Sequence, residues 1–242
     1  MKLVVDTHTH TIASGHAFGT VQEMALAAYW KGLEAVALTE HGPAMEGAPV
    51  PLYFAASFML PKRISGVTVL RGVEANIIDY DGGLDLEDRI LEGLDFVMAG
   101  FHDIVLEPCG DVEANTRALI RVLEHPLVDA VSHPGNPVFR IDVDRVVAAA
   151  KEHGKLLEIN NNSVKVRRGS RENCERIAAA CASAGIPVVV GSDAHTSFDV
   201  GGFEDALSIL ESVSFPEALV LNTSLRKLAA HLTALRPRRF AS

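Results

Sequence analysis

The N-terminal segment Met1-Lys2-Leu3-Val4-Val5-Asp6-Thr7-His8-Thr9-His10 decides how the fold is read: a short apolar run ending in alternating nitrogen donors. An extended strand turns successive side chains to opposite faces, so His8 and His10 are expected on one face, with Asp6 beside them to orient an imidazole. The same arrangement returns along the chain. His41 follows an apolar run at 35–39, Glu74 one at 67–73, His102 one at 96–101 and His133 one at 129–132. A run at 188–191 leads into Asp193 and His195, and His16 lies in the loop after the first run. Together with a seventh run at 156–159, these are the predicted strands. Near-continuous apolar strands of this kind are covered on both faces, as in parallel sheets.

Helical patterns fill most of the gaps, at 20–32, 112–124, 142–152, 170–184, 203–212 and 224–235. The first opens on Thr20-Val-Gln-Glu23, a capping-box pattern, and closes on Gly32. Residues 42–62 are rich in proline and aromatics and read as a long loop or short irregular helix, a candidate wall or lid. Donors at the ends of nearly every strand converge only if the strands form a ring. In an open sheet the outer donors would lie far apart, with the switch-point crevice as the natural site. The expected architecture is therefore α/β, a distorted (β/α)7 TIM-like barrel formed by residues 1–242 as a single domain.

Composition narrows the partners. The chain has 242 residues and a formal net charge of −9, which argues against a broad phosphate-backbone-binding surface and disfavours nucleic acid. No apolar stretch approaches the roughly 18 residues of a membrane span, and the N-terminus does not read as a signal peptide. Three cysteines without C-x-x-C spacing point to reduced thiols and a cytoplasmic location. Cys174 and Cys181, seven apart in a helical pattern, are expected to face the core.

Imidazole and carboxylate suit zinc, manganese or iron, and nine donors exceed the needs of one ion. His8, His10, His16, His41, Glu74, His102, His133, Asp193 and His195 are the candidate ligands of a multinuclear centre. Read singly, each has a plainer alternative: a polar strand end for His8 and His10, a loop or capping role for His16 and His41, a salt bridge to Arg or Lys for Glu74. Glu74, with two oxygens, is the candidate for a shared ligand. Asn160 and Asn161 are candidates to contact substrate or to hold turns, and Arg167 is a candidate to meet an anionic group. His125, His153 and His231 fall within or at the ends of helices and read as surface or helix-terminal residues.

Several motifs jointly carry a family resemblance: Asp6-Thr-His8-Thr-His10, Thr39-Glu-His41-Gly-Pro43, Arg71-Gly-Val-Glu74-Ala-Asn76 and Ala99-Gly-Phe-His102. Ser132-His133-Pro-Gly-Asn-Pro137, Glu158-Ile-Asn160-Asn161 and Gly191-Ser-Asp193-Ala-His195 extend it. The chain resembles the PHP (polymerase and histidinol phosphatase) family, and within it the YcdX-type phosphatases, over nearly its whole length. The resemblance implies a distorted (β/α)7 barrel with three divalent ions, zinc in characterised relatives and manganese or iron as alternatives. It assigns His8, His10, Glu74 and Asp193 to one ion, Glu74, His102 and His133 to a second, and His16, His41 and His195 to a third. Two positions depart from the family pattern, Asp103-Ile104 after the fourth-strand histidine and Glu40 where Asp is common. Neither removes a ligand.

The activity this implies is hydrolysis of a small phosphomonoester by attack of a metal-bridging hydroxide, with Glu74, Asp193 and His195 as catalytic residues. A PHP-type phosphodiesterase acting on short oligonucleotides is the nearest rival. An amidohydrolase-type barrel also begins with H-x-H but commonly places a carboxylated lysine at a strand end, where this chain has Glu74. A non-catalytic metal-stabilised module is the remaining alternative. The expected partner is a small phosphorylated substrate, and YcdX-type relatives suggest a homo-oligomer.

Overall fold

In the computed structural model, which describes residues 1–236, seven parallel strands follow one another around a nearly closed barrel. They are β1 (Val5–Thr9), β2 (Ala35–Leu38), β4 (Val67–Asn76), β5 (Phe96–Gly100), β6 (Ala130–Val131), β7 (Leu156–Asn160) and β8 (Val188–Gly191). An additional two-residue strand, β3 (Arg63–Ile64), pairs antiparallel with β4 and was not anticipated from its sequence. The helices are α1 (Val21–Trp30), α2 (Pro51–Ala55), α3 (Asp88–Leu91), α4 (Val112–Glu124), α5 (Val143–Glu152), α6 (Ser163–Val166), α7 (Ser170–Ala184), α8 (Glu204–Ser212) and α9 (Leu225–Leu235). The capping box at α1 forms as expected, with the Glu23 N–H donating to Thr20 and Glu23 accepting from the Thr20 N–H. Within the 42–62 segment, Pro51 opens the short helix α2.

Alternation along the strands separates two apolar layers. Val5, Ala35, Ala37, Leu70, Phe96, Met98, Ala130, Leu156 and Val189 form one cluster with Leu228 and Leu232 of α9. Their neighbours, including Val36, Val69, Val97, Val131, Leu157 and Val190, join the larger core shared with the surrounding helices, as do Cys174 and Cys181. Continuing the inward parity of β2, β4, β5, β7 and β8 brings His41, Glu74, Gly100, Glu158 and Asp193 to one end of the barrel.

The first strand breaks this rhythm. Its pairing with β2 shifts between Asp6 and Thr9, so one extra residue is accommodated there. The irregularity lets Val5 belong to the inner apolar cluster while His8 and His10, of opposite parity, also enter the mouth. Asp6 therefore does not orient an imidazole, contrary to expectation. Its carboxylate accepts backbone N–H groups of His8 (3.3 Å), Ser192 (3.0 Å) and Gly201 (2.9 Å), tying β1 to the loop after β8.

Between β8 and β1 the ring is joined by individual hydrogen bonds. The Asp193 N–H donates to His8 O at 2.8 Å and the His10 N–H to Ala194 O at 2.9 Å. Lower in the seam, Asn222 spans the gap: its Nδ2 donates to Val5 O (2.9 Å) and Val190 O (2.7 Å), and its Oδ1 accepts the Val190 N–H (2.7 Å). One side-chain amide thus supplies the donors and acceptor that a missing ladder would have provided.

Candidate metal centre

All nine candidate ligands gather at the mouth of the barrel, around Glu74. This carboxylate is fully buried, and no Arg or Lys pairs with it among the described residues. Arg71, the nearest cation in sequence, pairs with Asp95 at 2.6 Å instead. Glu74 Oε1 lies 2.7 Å from His133 Nε2 and 3.4 Å from His102 Nε2. Its Oε2 lies 2.9 Å from His41 Nδ1, 3.2 Å from His8 Nε2 and 3.6 Å from His10 Nε2. Asp193 Oδ1 approaches His10 Nε2 at 3.3 Å and His8 Nε2 at 3.6 Å. At the outer edge, His16 Nε2 and His195 Nε2 lie 3.1 Å apart.

Partners behind the imidazoles dictate which nitrogen faces the centre. A carboxylate only accepts, so the contact of His8 Nδ1 with Glu158 Oε1 at 2.7 Å places a proton on Nδ1 and turns Nε2 inward. His102 Nδ1 donates to Asn76 Oδ1 at 2.8 Å, and the Asn76 amide is fixed by donating to Asp85 and to Gly42 O. His195 Nδ1 donates to Asp193 O at 2.9 Å. His10 Nδ1 contacts Ser14 Oγ at 3.3 Å, while Ser14 donates to Glu40 at 2.6 Å, so Nε2 of His10 is again the inward atom. Glu40 also accepts the Thr11 N–H and hydroxyl, making it the anchor of the loop beneath His10.

These orientations fit cations and little else. His8 Nε2 and His10 Nε2 stand 3.0 Å apart, a contact that requires a proton or a cation between two imidazole nitrogens. His41 Nδ1, His102 Nε2, His133 Nε2 and both oxygens of Glu74 are buried without a hydrogen-bond partner. Leaving that many buried polar atoms unmatched is costly unless an ion satisfies them. Three sets of donor atoms lie within 4.8 Å of one another: His8, His10 and Asp193; His41, Glu74 and His102; and His10, His41 and His195. His10 and His41 each appear in two sets, so the groups are contiguous. Burial opposes charge on Glu74, but the imidazoles of His8, His102, His133 and His41 outweigh it and hold its carboxyl well below the usual range. Burial likewise opposes a proton on His8, yet Glu158, Glu74 and Asp193 push its pKa well above the ordinary value. His133, buried and close to Arg167, is depressed to about 4.

The backbone is adapted to the same purpose. His133 and Asp193 adopt φ values of 31° and 56°, a left-handed region that non-glycine residues enter at some cost. A Cβ at Gly191 would overlap both the His8 Cβ and Glu158 Oε1, so glycine there permits the His8–Glu158 pair.

Of the residues considered for substrate contact, Asn160 is committed to the protein. Its Nδ2 donates to Glu158 (3.1 Å) and Asp193 (3.3 Å), and its Oδ1 accepts from the Ser163 N–H and hydroxyl. Those bonds tie Glu158, Asp193 and the start of α6 together through one amide. Asn161 uses Oδ1 to receive the Asp205 and Ala206 N–H groups at the start of α8, the turn-holding alternative. Arg167 reaches the mouth, with Nη1 3.6 Å from Asp193 Oδ2 and 3.1 Å from Ser163 Oγ. Glu158 went unrecognised in the sequence although a lone carboxylate inside Leu156-Leu157-Glu158-Ile159 was its signal. His125 pairs with Asp88, His153 caps the C-terminus of α5 and His231 Nε2 donates to Gly154 O at 2.9 Å, all apart from the three donor sets.

The PHP domain model matches residues 6–162. A protein named "Probable phosphatase" from Acetivibrio thermocellus is 53% identical over 232 residues, covering 96% of each chain. A similarly named protein from Caldanaerobacter subterraneus subsp. tengcongensis is 52% identical over 239 residues, covering 98% of this chain and 94% of its own. Among solved structures, histidinol phosphate phosphatase from Lactococcus lactis, complexed with zinc, L-histidinol and phosphate, superposes with a TM-score of 0.59 at 17% identity. That alignment covers 88% of this chain and 94% of the other and shows a shared fold. On the family match and these relatives, the chain belongs to the PHP-domain family.

Proposed function

We propose that this protein is a metal-dependent phosphoesterase that hydrolyses a small phosphomonoester at a centre of three divalent ions. The observation that carries the reading is Glu74: a fully buried carboxylate with five imidazole nitrogens within 3.6 Å and both oxygens lacking a hydrogen-bond partner. The names of the relatives and the phosphate-bound histidinol phosphate phosphatase neighbour support a phosphatase over other chemistries for such a donor set.

His8, His10, Glu74 and Asp193 would hold one ion, Glu74, His102 and His133 a second, and His16, His41 and His195 a third. The imidazole-rich set suits zinc, with manganese or iron as alternatives. Divalent ions bound there supply Lewis acidity, acidifying water and offsetting charge on phosphoryl oxygens.

The chain's own groups set the geometry. Glu74 turns Oε1 toward His133 and His102 and Oε2 toward His41, His8 and His10, so it would serve as the shared ligand. Asp193 is held from behind by the Asn160 amide and from the side by Arg167. Arg167, with a partly exposed guanidinium, is placed to donate to a phosphoryl oxygen as the substrate enters. His195, half-exposed with its Nδ1 tied to Asp193 O, keeps Nε2 facing the mouth. Glu74, Asp193 and His195 are thus the residues assigned to the reaction, and Arg167 the substrate contact.

The test is a screen of metal-loaded protein against a panel of phosphorylated metabolites alongside a dinucleotide. Turnover of monoesters with little cleavage of the dinucleotide is expected, and Glu74→Ala should lower kcat by orders of magnitude with its circular dichroism unchanged. Preferential dinucleotide cleavage, or wild-type kcat in Glu74→Ala, would refute the assignment.

A further inference from the structure

We infer that the preferred substrate carries its phosphate on a leaving group with an apolar face, bound between Ile104 and Val166. This deepens the phosphoesterase reading and rests on it. The cleft that opens over His102, Asp193 and Arg167 has a volume of ≈330 Å³, and Met45, Ile104 and Val166 supply its apolar lining. Met45 is buried, but Ile104 and Val166 are 73% and 60% exposed. A single exposed aliphatic side chain needs no explanation. Two that line one cleft over a cluster of metal donors mark a surface built to meet an apolar ligand.

Both side chains are presented by hydrogen-bonded turns. Ile104 lies in a turn where the Val105 and Leu106 N–H groups donate to His102 O at 3.0 and 2.9 Å. Val166 ends α6, where its N–H donates to Asn162 O at 3.1 Å and the Arg167 N–H to Ser163 O at 2.9 Å. Each turn also carries a functional side chain, His102 in one and Arg167 in the other, so the apolar contacts stand at a fixed distance from the reacting end. The adjoining cleft, which shares Asn162, Asp193 and His195, is lined by the charged groups of Lys31, Lys165, Asp199 and Glu204, with the exposed ring of Phe198 as its one large apolar side chain. Away from the shared donors, the first direction offers three aliphatic or thioether side chains beside Asp103, and the second offers one aromatic ring among four charged groups. An apolar moiety is sorted into the first.

The experiment compares 2-phenylethyl phosphate with ethyl phosphate, two alkyl esters chosen so that leaving-group acidity does not decide the outcome. In parallel, 3-phenylpropylphosphonate and propylphosphonate are titrated calorimetrically into metal-loaded protein. The phenyl compound should be preferred by about tenfold or more in kcat/KM and in Kd. Ile104→Ser and Val166→Ser should each reduce both preferences, and the double variant should bring them within about twofold. Equal use of both esters and equal binding of both phosphonates would overturn the inference while leaving the phosphoesterase reading intact. Binding preference without turnover of any ester would support the apolar cleft and refute the phosphoesterase reading. If the double variant changes the oligomeric mass by light scattering and leaves both preferences unaltered, the two residues form a subunit contact and the inference fails.

Discussion

Replacing Glu158 by Gln removes one charge and almost no volume, yet it should disable the metal centre. Both oxygens of Glu158 face donors: Oε1 accepts from His8 Nδ1 at 2.7 Å, and Oε2 accepts from the His133 N–H at 2.8 Å and Asn160 Nδ2 at 3.1 Å. An amide has one accepting oxygen and one donating NH2, so one side must place donor against donor. If the NH2 faces His133 and Asn160, two hydrogen bonds become clashes. If it faces His8, the imidazole regains compatibility only by moving its proton to Nε2, the atom that faces Glu74, His10 and Asp193. That proton occupies the lone pair a metal needs. Losing an orienting partner of this kind typically lowers metal affinity by about 10–100-fold. A buried unsatisfied donor further destabilises the fold by roughly 1–3 kcal/mol. Competition titrations with a chromophoric chelator would measure the affinity of each zinc site, and urea unfolding of the metal-free protein would measure the stability term. Glu158→Gln binding every zinc ion within twofold of wild type would refute the tautomer argument.

Other consequences follow from the same geometry. Asn222→Ala strands the Val190 N–H and the Val5 carbonyl in the seam between β8 and β1 and leaves the Val190 carbonyl with the Thr7 hydroxyl alone, so urea denaturation should show a loss of about 3 kcal/mol; a loss below about 1 kcal/mol would mean the seam does not depend on that amide. Burial pushes the thiols of Cys174 and Cys181 up to about 12, while Cys109 is exposed. At pH 8 a thiol-specific chromogenic reagent should therefore modify one cysteine in native protein and all three in denaturant, and rapid native labelling of two or more would contradict the packing. His8 has a raised pKa in the metal-free protein, so it retains a proton at neutral pH that metal must displace. Zinc affinity should consequently rise as pH rises, with proton release on loading seen as a buffer-dependent binding enthalpy; pH-independent affinity would exclude that exchange.

Much of the barrel was legible because its strands are short apolar runs, each followed by a donor, and because that repeat makes sense only in a ring. The convergence of His41, Glu74, His102, Asp193 and His195 follows from strand order and parity, whereas His8 and His10 reach the mouth through the irregular pairing of β1 and His133 through its left-handed backbone. What escaped the reading depended on register or on competition between partners. Strict alternation sent Asp6 to the mouth, but the irregular pairing of β1 turned it to the backbone of the neighbouring loop. Sequence does not show that Glu158, Asp193 and Ser163 take up the Asn160 amide, or that the start of α8 takes up the Asn161 Oδ1. Glu158 was visible as a charge within an apolar strand, and its parity with Leu156 indicated the inward face. The two-residue strand β3 is too short for any periodicity to register.

The central claim is that imidazoles and carboxylates drawn from distant strands form a cage for a cluster of cations. Elemental analysis of purified protein, stripped with chelator and reloaded with zinc or manganese, tests it most directly. Close to three tightly held ions per chain is the predicted result, falling by at least one in Glu74→Ala. A protein that retains no metal after reloading, at concentrations where its fold is intact, would contradict the account.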